Sequence, residues 1–223
     1  MCREIYFSVL TNPSIYQSLV FYRAFFLTMH HYYIVYKPFR VLTQFSSSEG
    51  KETLADYFEV DRDVYPVGRL DYESEGLLIL TNDTQLNHRL LHPTFKHERE
   101  YLVQVEGSIT DEAIDKLQSG VVISIDGKQH HTQPCKATQL ITHPKVADRN
   151  PPIRFRKEIP TDWISLILHE GKNRQVRRMT ASVGFPTLRL IRHRIEKISL
   201  DNMLPGDMIP YNKEVMYQLL FGR

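Results

Sequence analysis

The sequence predicts a fold that mixes β-strands with α-helices, on three observations. Residues Glu100 to Glu106 alternate cleanly, with Tyr101, Val103 and Val105 on one face and Leu102, Gln104 and Glu106 on the other, which is the period of a strand. On Asn173 to Val183, Val176, Met179 and Val183 recur at i, i+3 and i+7, the stripe of a helix that faces a core. The run Leu77-Leu78-Ile79-Leu80-Thr81 is short and continuously apolar, as a buried strand is.

In chain order, Tyr32 to Tyr36 is an aromatic and β-branched run stopped by Lys37-Pro38, hence a first strand. Thr53 to Phe58 reads as one or two helical turns, and Val64 to Val67 leads into a loop at Gly68. After the apolar strand, Asn82-Asp83 makes a turn and caps a helix that runs to about Leu91 and is ended by Pro93. Thr110 to Leu117 is a capped helix with Gly120 as its stop, and Val121 to Ile125 is a strand before the Asp126-Gly127 turn. His143 to Thr161, rich in Pro, Arg and Lys, reads as a long loop or inserted segment, or more simply a flexible connector. Trp163 to His169 restores a strand, and the Asn173 to Val183 helix ends at Gly184 and Pro186. Leu188 to Ile198 adds β structure, and Asn212 to Leu220 is a terminal helix.

The chain has 223 residues, and its 42% hydrophobic content supports one large domain or two small ones. Cys2 and Cys135 lack metal or redox spacing, which fits a reducing cytoplasm. The ten histidines include the adjacent pairs His30-His31 and His130-His131 but no helical two-ligand pattern, so no metal is expected. Gln17 and Arg23 interrupt the best apolar run of the first thirty residues, and no small-residue cleavage site follows. Residues 1–31 are therefore read as an N-terminal extension with neither a membrane span nor a signal peptide, and 32–223 as the folded domain. Met29 is an alternative start. Nothing in the sequence signals an oligomer, so a monomer is the expectation.

Two stretches carry chemistry. Gly68-Arg69-Leu70-Asp71, followed by Ser74-Glu75-Gly76, places one carboxylate at the lip of the buried strand. Glu170-Gly171-Lys172-Asn173-Arg174-Gln175-Val176-Arg177-Arg178-Met179 supplies a dense arginine cluster. Net charge is only +2, but Arg154 to Lys197 holds eleven Lys or Arg against four Asp or Glu, a local signal for a polyanion such as nucleic acid. On the helix Arg177 flanks the core stripe, whereas Arg174 and Arg178, an i, i+4 pair, project further round toward a ligand or simply into solvent.

These residues resemble the RsuA/RluB/E/F family of pseudouridine synthases. Gly68-Arg69-Leu70-Asp71 with Ser74-Glu75-Gly76-Leu77-Leu78 matches the family's catalytic-aspartate motif, Lys37-Pro38 its first motif, Tyr101 the tyrosine of its Lys-x-Tyr motif, and Gln175-Val176-Arg177-Arg178-Met179 its arginine motif. Arg99 stands where most of the family has Lys. The residues before Tyr32 are too few and too hydrophobic for the basic S4-type RNA-binding module that many relatives carry there. Asn150-Pro151-Pro152-Ile153-Arg154, Ile159-Pro160-Thr161 and Gly184 to Arg192 resemble one branch in particular, which implies large-subunit (23S) rRNA as partner and a single modified uridine.

The resemblance implies an α+β fold, a mixed and largely antiparallel sheet with flanking helices and a central cleft. It implies isomerisation without cofactor: a uridine's N1 glycosidic bond is broken and the base is rejoined through C5. One carboxylate then suffices, either as nucleophile at C1′ or as a base promoting a glycal-like intermediate, where a glycosidase usually employs two. Asp71 is that carboxylate, Arg177 its expected ion-pair partner, and Tyr101 the ring that stacks on the uracil and whose hydroxyl accepts a proton. The uridine must leave its stack, at a cost of a few kcal/mol. Arg69, Lys172, Arg174, Arg178, Arg189 and Arg192 are the candidates for RNA contacts, with the Arg154 to Lys157 run as a further one. A synthase for small-subunit rRNA or tRNA, and a non-catalytic RNA-binding or ribosome-assembly protein, remain as alternatives.

Overall fold

The computed structural model describes residues 29–153 and 158–222. The N-terminal extension read over residues 1–31 falls almost entirely outside these residues, as does the Arg154 to Lys157 run. The elements in chain order are β1 (Tyr32–Lys37), β2 (Val41–Leu42), β3 (Glu52–Thr53), a 3-10 turn (Leu54–Asp56), β4 (Tyr65–Pro66), β5 (Glu75–Thr81), α1 (Thr84–Leu91), a second 3-10 turn (Pro93–Phe95), β6 (Arg99–Glu106) and α2 (Asp111–Ser119). Then come β7 (Val122–Ile125), β8 (Lys128–His131), β9 (Lys136–Gln139), β10 (Thr161–Leu168), α3 (Gln175–Ser182), β11 (Thr187–Ile195), β12 (Ile198–Ser199), β13 (Met208–Tyr211) and α4 (Lys213–Phe221).

Capping sets the helix starts. Asp83 accepts hydrogen bonds from the main-chain N–H groups of Gln85 and Leu86, at 2.9 and 3.1 Å, satisfying two donors that the first turn of α1 leaves open. Its other oxygen accepts the hydroxyls of Tyr32 and Tyr217, so one carboxylate ties α1 to β1 and α4. Thr110 and Asn212 cap α2 and α4 through the N–H groups of Ala113 and Val215.

Among the described residues nine strands form one sheet, with β13, β1, β5, β11, β6, β10 and β9 side by side. Every neighbouring pair along it is antiparallel except β5 with β11. The period of two gives the sheet two different faces. On one, Ile34, Leu77, Ile79, Leu102 and Ile191 form a continuous core under Leu86 and Leu90 of α1 and Met216 and Leu220 of α4. On the other the core is divided. Val35, Leu78 and Leu80 pack with Val41, Leu54 and Phe58, while Val103, Val105, Ile164 and Leu190 pack with α2 and with Val176 and Met179 of α3.

The division follows from strand pairing. Parallel β5 and β11 share only two register positions, Ile191 with Glu75 and Arg192 with Gly76. Further along the same edge of β5, β4 takes over, pairing Tyr65 with Thr81 and Pro66 with Leu80. The ladder is patched between them: the Nε of Arg192 donates to the carbonyl of Leu77 at 2.8 Å, and the N–H of Val67 to that of Ile79. The chain that follows Val67 therefore leaves the sheet where β5 and β11 part, and that chain is the Gly68-Arg69-Leu70-Asp71 loop.

Two parts of the sequence reading are refined. The polar stretch after the Asp126-Gly127 turn contains β8 and β9, and the segment before α4 contains the edge strand β13. The region from His143 onward is irregular, as expected, but its described part is held down: the His143 ring meets the Trp163 ring edge-on, and the carbonyl of Ala147 accepts from Arg189 at 2.8 Å. None of the described helices is long and apolar enough to cross a membrane.

Candidate active site

The loop that presents Asp71 is fastened on both sides. Thr43 Oγ1 donates to the carbonyl of Leu70 at 2.7 Å and accepts from its N–H at 3.2 Å. A turn closes from the N–H of Ser74 to the carbonyl of Asp71 at 3.0 Å, and the N–H of Arg40 holds the carbonyl of Tyr72. Asp71 is half-buried, and no hydrogen bond or ion pair engages its carboxylate among the described residues. Gly76, just beyond, has φ +117°, and a Cβ there would overlap the main-chain nitrogen and oxygen of Arg192, so only glycine permits this close approach of β11.

Lys37 faces the same point from the other side, since the last residue of β1 pairs with Gly76. Its side chain is fully buried, and its Nζ donates to the carbonyls of Pro38 and Val41 at 2.8 and 2.7 Å. Burial pushes its pKa down from 10.5 to about 7, against the opposing pull of the Glu75 and Asp71 carboxylates. The motif match drew attention to Lys37-Pro38 without a role for the lysine; the signal available was a lysine closing a strand otherwise made of buried aromatic and β-branched residues.

Arg177 does not form the expected ion pair. No nitrogen of Arg177 lies within 4.0 Å of an Asp71 oxygen; its Nη2 donates instead to the main-chain carbonyl of Glu73 at 2.7 Å, and its buried Nε has no partner among the described residues. Burial and then the charge of Arg174 push its proton affinity down, while Glu73 and Asp71 act in the opposite direction. The guanidinium thus grips the backbone two residues past Asp71 and leaves the carboxylate uncommitted. Side-chain pairing cannot be read from a motif, because a guanidinium satisfies a carbonyl as readily as a carboxylate.

Tyr101 lies on β6 opposite Leu166 of β10 and Arg192 of β11, half-buried on the divided face of the sheet beside Val103 and Val105. The side expected from the alternation is the side found. Arg99, which replaces the family's lysine, turns away to the carbonyls of Leu90 and His97, at 2.8 and 3.3 Å.

The six RNA candidates separate. Arg69 and Lys172 are exposed, and neither guanidinium nor ammonium has a hydrogen-bond partner among the described residues. Arg174 is exposed and makes a 3.2 Å ion pair with Glu73; it caps α3 with φ 49°, outside the helix, which starts two residues later than its periodicity suggested. Arg178 is half-buried and spends its guanidinium on the carbonyl of Ser124 and on Asn173 Oδ1. Arg189 and Arg192 correct the sequence reading: they are only 4% and 5% exposed. Arg189 makes a bidentate pair with Glu75 at 2.9 and 2.8 Å, and Arg192 patches the β5 ladder. Both belong to a strand whose polar residues looked surface-bound in sequence, but β11 lies in the middle of the sheet, and both side chains are buried in it. From Glu73, Arg174 and Arg177 a cavity of about 800 Å³ extends toward Phe39, Arg149 and Leu188.

Comparison with known proteins agrees with this architecture. Residues 31–182 match the family model of RNA pseudouridylate synthases. The chain is 47% identical over 170 residues to a ribosomal large subunit pseudouridine synthase E of Vibrio parahaemolyticus, covering 76% of this chain and 69% of that one. It is 48% identical over 171 residues to the protein of the same name from Xanthomonas axonopodis pv. citri, covering 76% and 87%. Among solved structures, one described as a pseudouridylate synthase superimposes with a TM-score of 0.69 at 24% identity over 86% of this chain and 74% of that one, a likeness of fold. The mixed sheet parted at β5 and β11, the aspartate loop that leaves it there and the extent of these matches agree: the chain belongs to the RNA pseudouridine synthase family.

Proposed function

We propose that the protein isomerises one uridine of large-subunit (23S) ribosomal RNA to pseudouridine in the cytoplasm, with Asp71 as the catalytic carboxylate. The observation that carries this reading is the state of Asp71, a half-buried carboxylate fastened in place by its backbone yet without a hydrogen-bond or ion-pair partner among the described residues. Attack on C1′ and removal of the C2′ proton both require such free oxygen lone pairs, and the arrangement serves either route. The N1–C1′ bond breaks, the uracil turns within the site, C5 bonds to C1′, and the proton that C5 loses is matched by one that N1 gains. No atom is gained or lost and no electron is transferred to a partner, so the reaction balances without cofactor or water.

Tyr101 supplies a ring for the detached uracil to stack on, and its hydroxyl is the acceptor for the C5 proton. Arg177 acts on Asp71 through the loop, holding the Glu73 carbonyl and adding positive potential beside the carboxylate. Arg69, Lys172 and Arg174 bring phosphates to the rim, and their contacts offset part of the unstacking cost. The choice of large-subunit rRNA rests on the names of relatives 47% and 48% identical over three quarters of the chain. Incubating the protein separately with unmodified large-subunit rRNA, small-subunit rRNA and tRNA and mapping pseudouridine tests it. One new pseudouridine in the large-subunit RNA is expected; modification confined to another RNA overturns the substrate assignment.

A further inference from the structure

Beyond Glu73, Arg174 and Arg177, the lining of the cavity has no part in the reaction described above. Its lining includes Leu188, Gln104, Ile153 and Arg149, whose guanidinium carbon lies over the Phe39 ring, 4.2 Å from the centroid. Arg149 is half-buried and built in. Its Nε donates to the carbonyl of Pro151 at 2.9 Å and its Nη1 to that of Leu188 at 3.4 Å, leaving Nη2 without a partner among the described residues. Two residues earlier, Ala147 is tied by its carbonyl to the Arg189 guanidinium that also pairs with Glu75. The arginine buried in the sheet therefore holds the segment that brings Arg149 into the cavity lining.

We propose that this cavity is a subsite for a nucleobase flanking the target uridine, and that Arg149 on its Phe39 backing is a specificity-determining residue. The inference rests on the RNA substrate proposed above. Proximity comes from Glu73, which is a wall of the cavity and lies two residues past Asp71, so a strand that delivers its uridine to Asp71 passes this opening. Chemistry comes from the lining. Among the described residues of the lining, Arg149, Arg174 and Arg177 are matched in number by Glu73, Glu106 and Glu158. The cavity offers a guanidinium over an aromatic ring, an Nη2 donor without a partner among the described residues, and apolar surface from Leu188 and Ile153, which suit a planar, hydrogen-bonding group. Its volume is ample for one base.

The test uses fragments of large-subunit rRNA that carry the mapped uridine, each with an abasic site at one flanking position, and compares the wild-type protein with Arg149→Ala and Arg149→Lys. For the wild type, one abasic position lowers kcat/KM by about 10- to 100-fold, the worth of one base stacked on such a surface. Arg149→Ala shows a similar loss on intact RNA, mainly in KM, and is indifferent to that abasic site. Arg149→Lys, which keeps the charge but not the plane, falls between the two. A loss in Arg149→Ala that is the same for every fragment and multiplies with each abasic defect would overturn the proposal, because it would mark a structural role for the side chain. So would full activity of Arg149→Ala on all fragments. If the wild type leaves large-subunit rRNA unmodified, the substrate reading fails first, and that result is distinct from either of these.

Discussion

Arg189→Met separates a buried structural arginine from an RNA-binding one. Arg189 and Glu75 are 5% and 2% exposed at their side chains, and the pair is bidentate, with Nη2 also holding the Ala147 carbonyl. Removing the guanidinium leaves a desolvated carboxylate and a carbonyl without their donor. Breaking a buried pair from one side typically costs about 3–5 kcal/mol. For a chain of this size each kcal/mol lowers the melting temperature by roughly 2–4 °C, so Arg189→Met should melt on the order of 10 °C lower. Pairing it with Glu75→Met removes the orphaned charge and should recover most of that loss. RNA affinity measured against salt concentration provides the second readout. A lost phosphate contact flattens the slope of log affinity against log salt by about 0.7 to 0.9, whereas loss of a buried pair leaves the slope unchanged. Unaltered melting together with a flatter slope would put Arg189 on the RNA and refute its burial.

Three further outcomes are expected. Arg69→Met should show the reverse pattern, a salt slope flatter by about 0.7 to 0.9 with unchanged melting, because its guanidinium is exposed and unpartnered. Gly76→Ala should be poorly folded or inactive in circular dichroism and turnover assays, since φ +117° and the adjacent Arg192 backbone leave no room for a methyl group. Lys37 should make stability depend on pH. Its pKa is about 7 in the folded protein and about 10.5 when exposed, so between those values the unfolded chain holds one more proton. The cost of burying the ammonium is therefore greatest below pH 7 and is relieved as pH rises toward 10.5, at up to about 1.4 kcal/mol per pH unit. Urea unfolding of wild type and Lys37→Met at pH 7, 8 and 9 measures this, and parallel profiles for the two proteins would contradict it.

Most of the elements were legible because their signals are local. The Asp83 and Thr110 caps, the stripe of Val176 and Met179 and the alternation around Tyr101 each depend on residues a few positions apart, and the structure places them as read. Strand β8 escaped because its sequence, Lys128 to His131, is polar and exposed although it pairs with β7 across the Asp126-Gly127 turn, and β9 and β13 escaped because they are edge strands whose partners, β10 and β1, are distant in the chain. The same limit applies to side-chain partners. Asp71, Tyr101 and Arg177 could be singled out by motif, but whether Arg177 grips a carboxylate or a carbonyl depends on a loop a hundred residues away. Arg189 and Arg192 misled because an arginine on an alternating strand looks solvated until the strand is known to lie centrally, where Glu75 and the unpaired Leu77 carbonyl await it. Lys37 was hidden for a similar reason: the carbonyls that hold it belong to the turn just after it, and the pairing that buries it comes from Gly76.

The central claim, that Asp71 performs the chemistry, is tested most directly by Asp71→Asn. The substitution keeps side-chain size in a loop held by Thr43 and by main-chain hydrogen bonds, and it breaks no hydrogen bond of the carboxylate, so the fold and melting temperature should be preserved. With purified protein and unmodified large-subunit rRNA, the wild type should form pseudouridine and Asp71→Asn should form none while still binding the RNA. Undiminished pseudouridine formation by folded Asp71→Asn would contradict it.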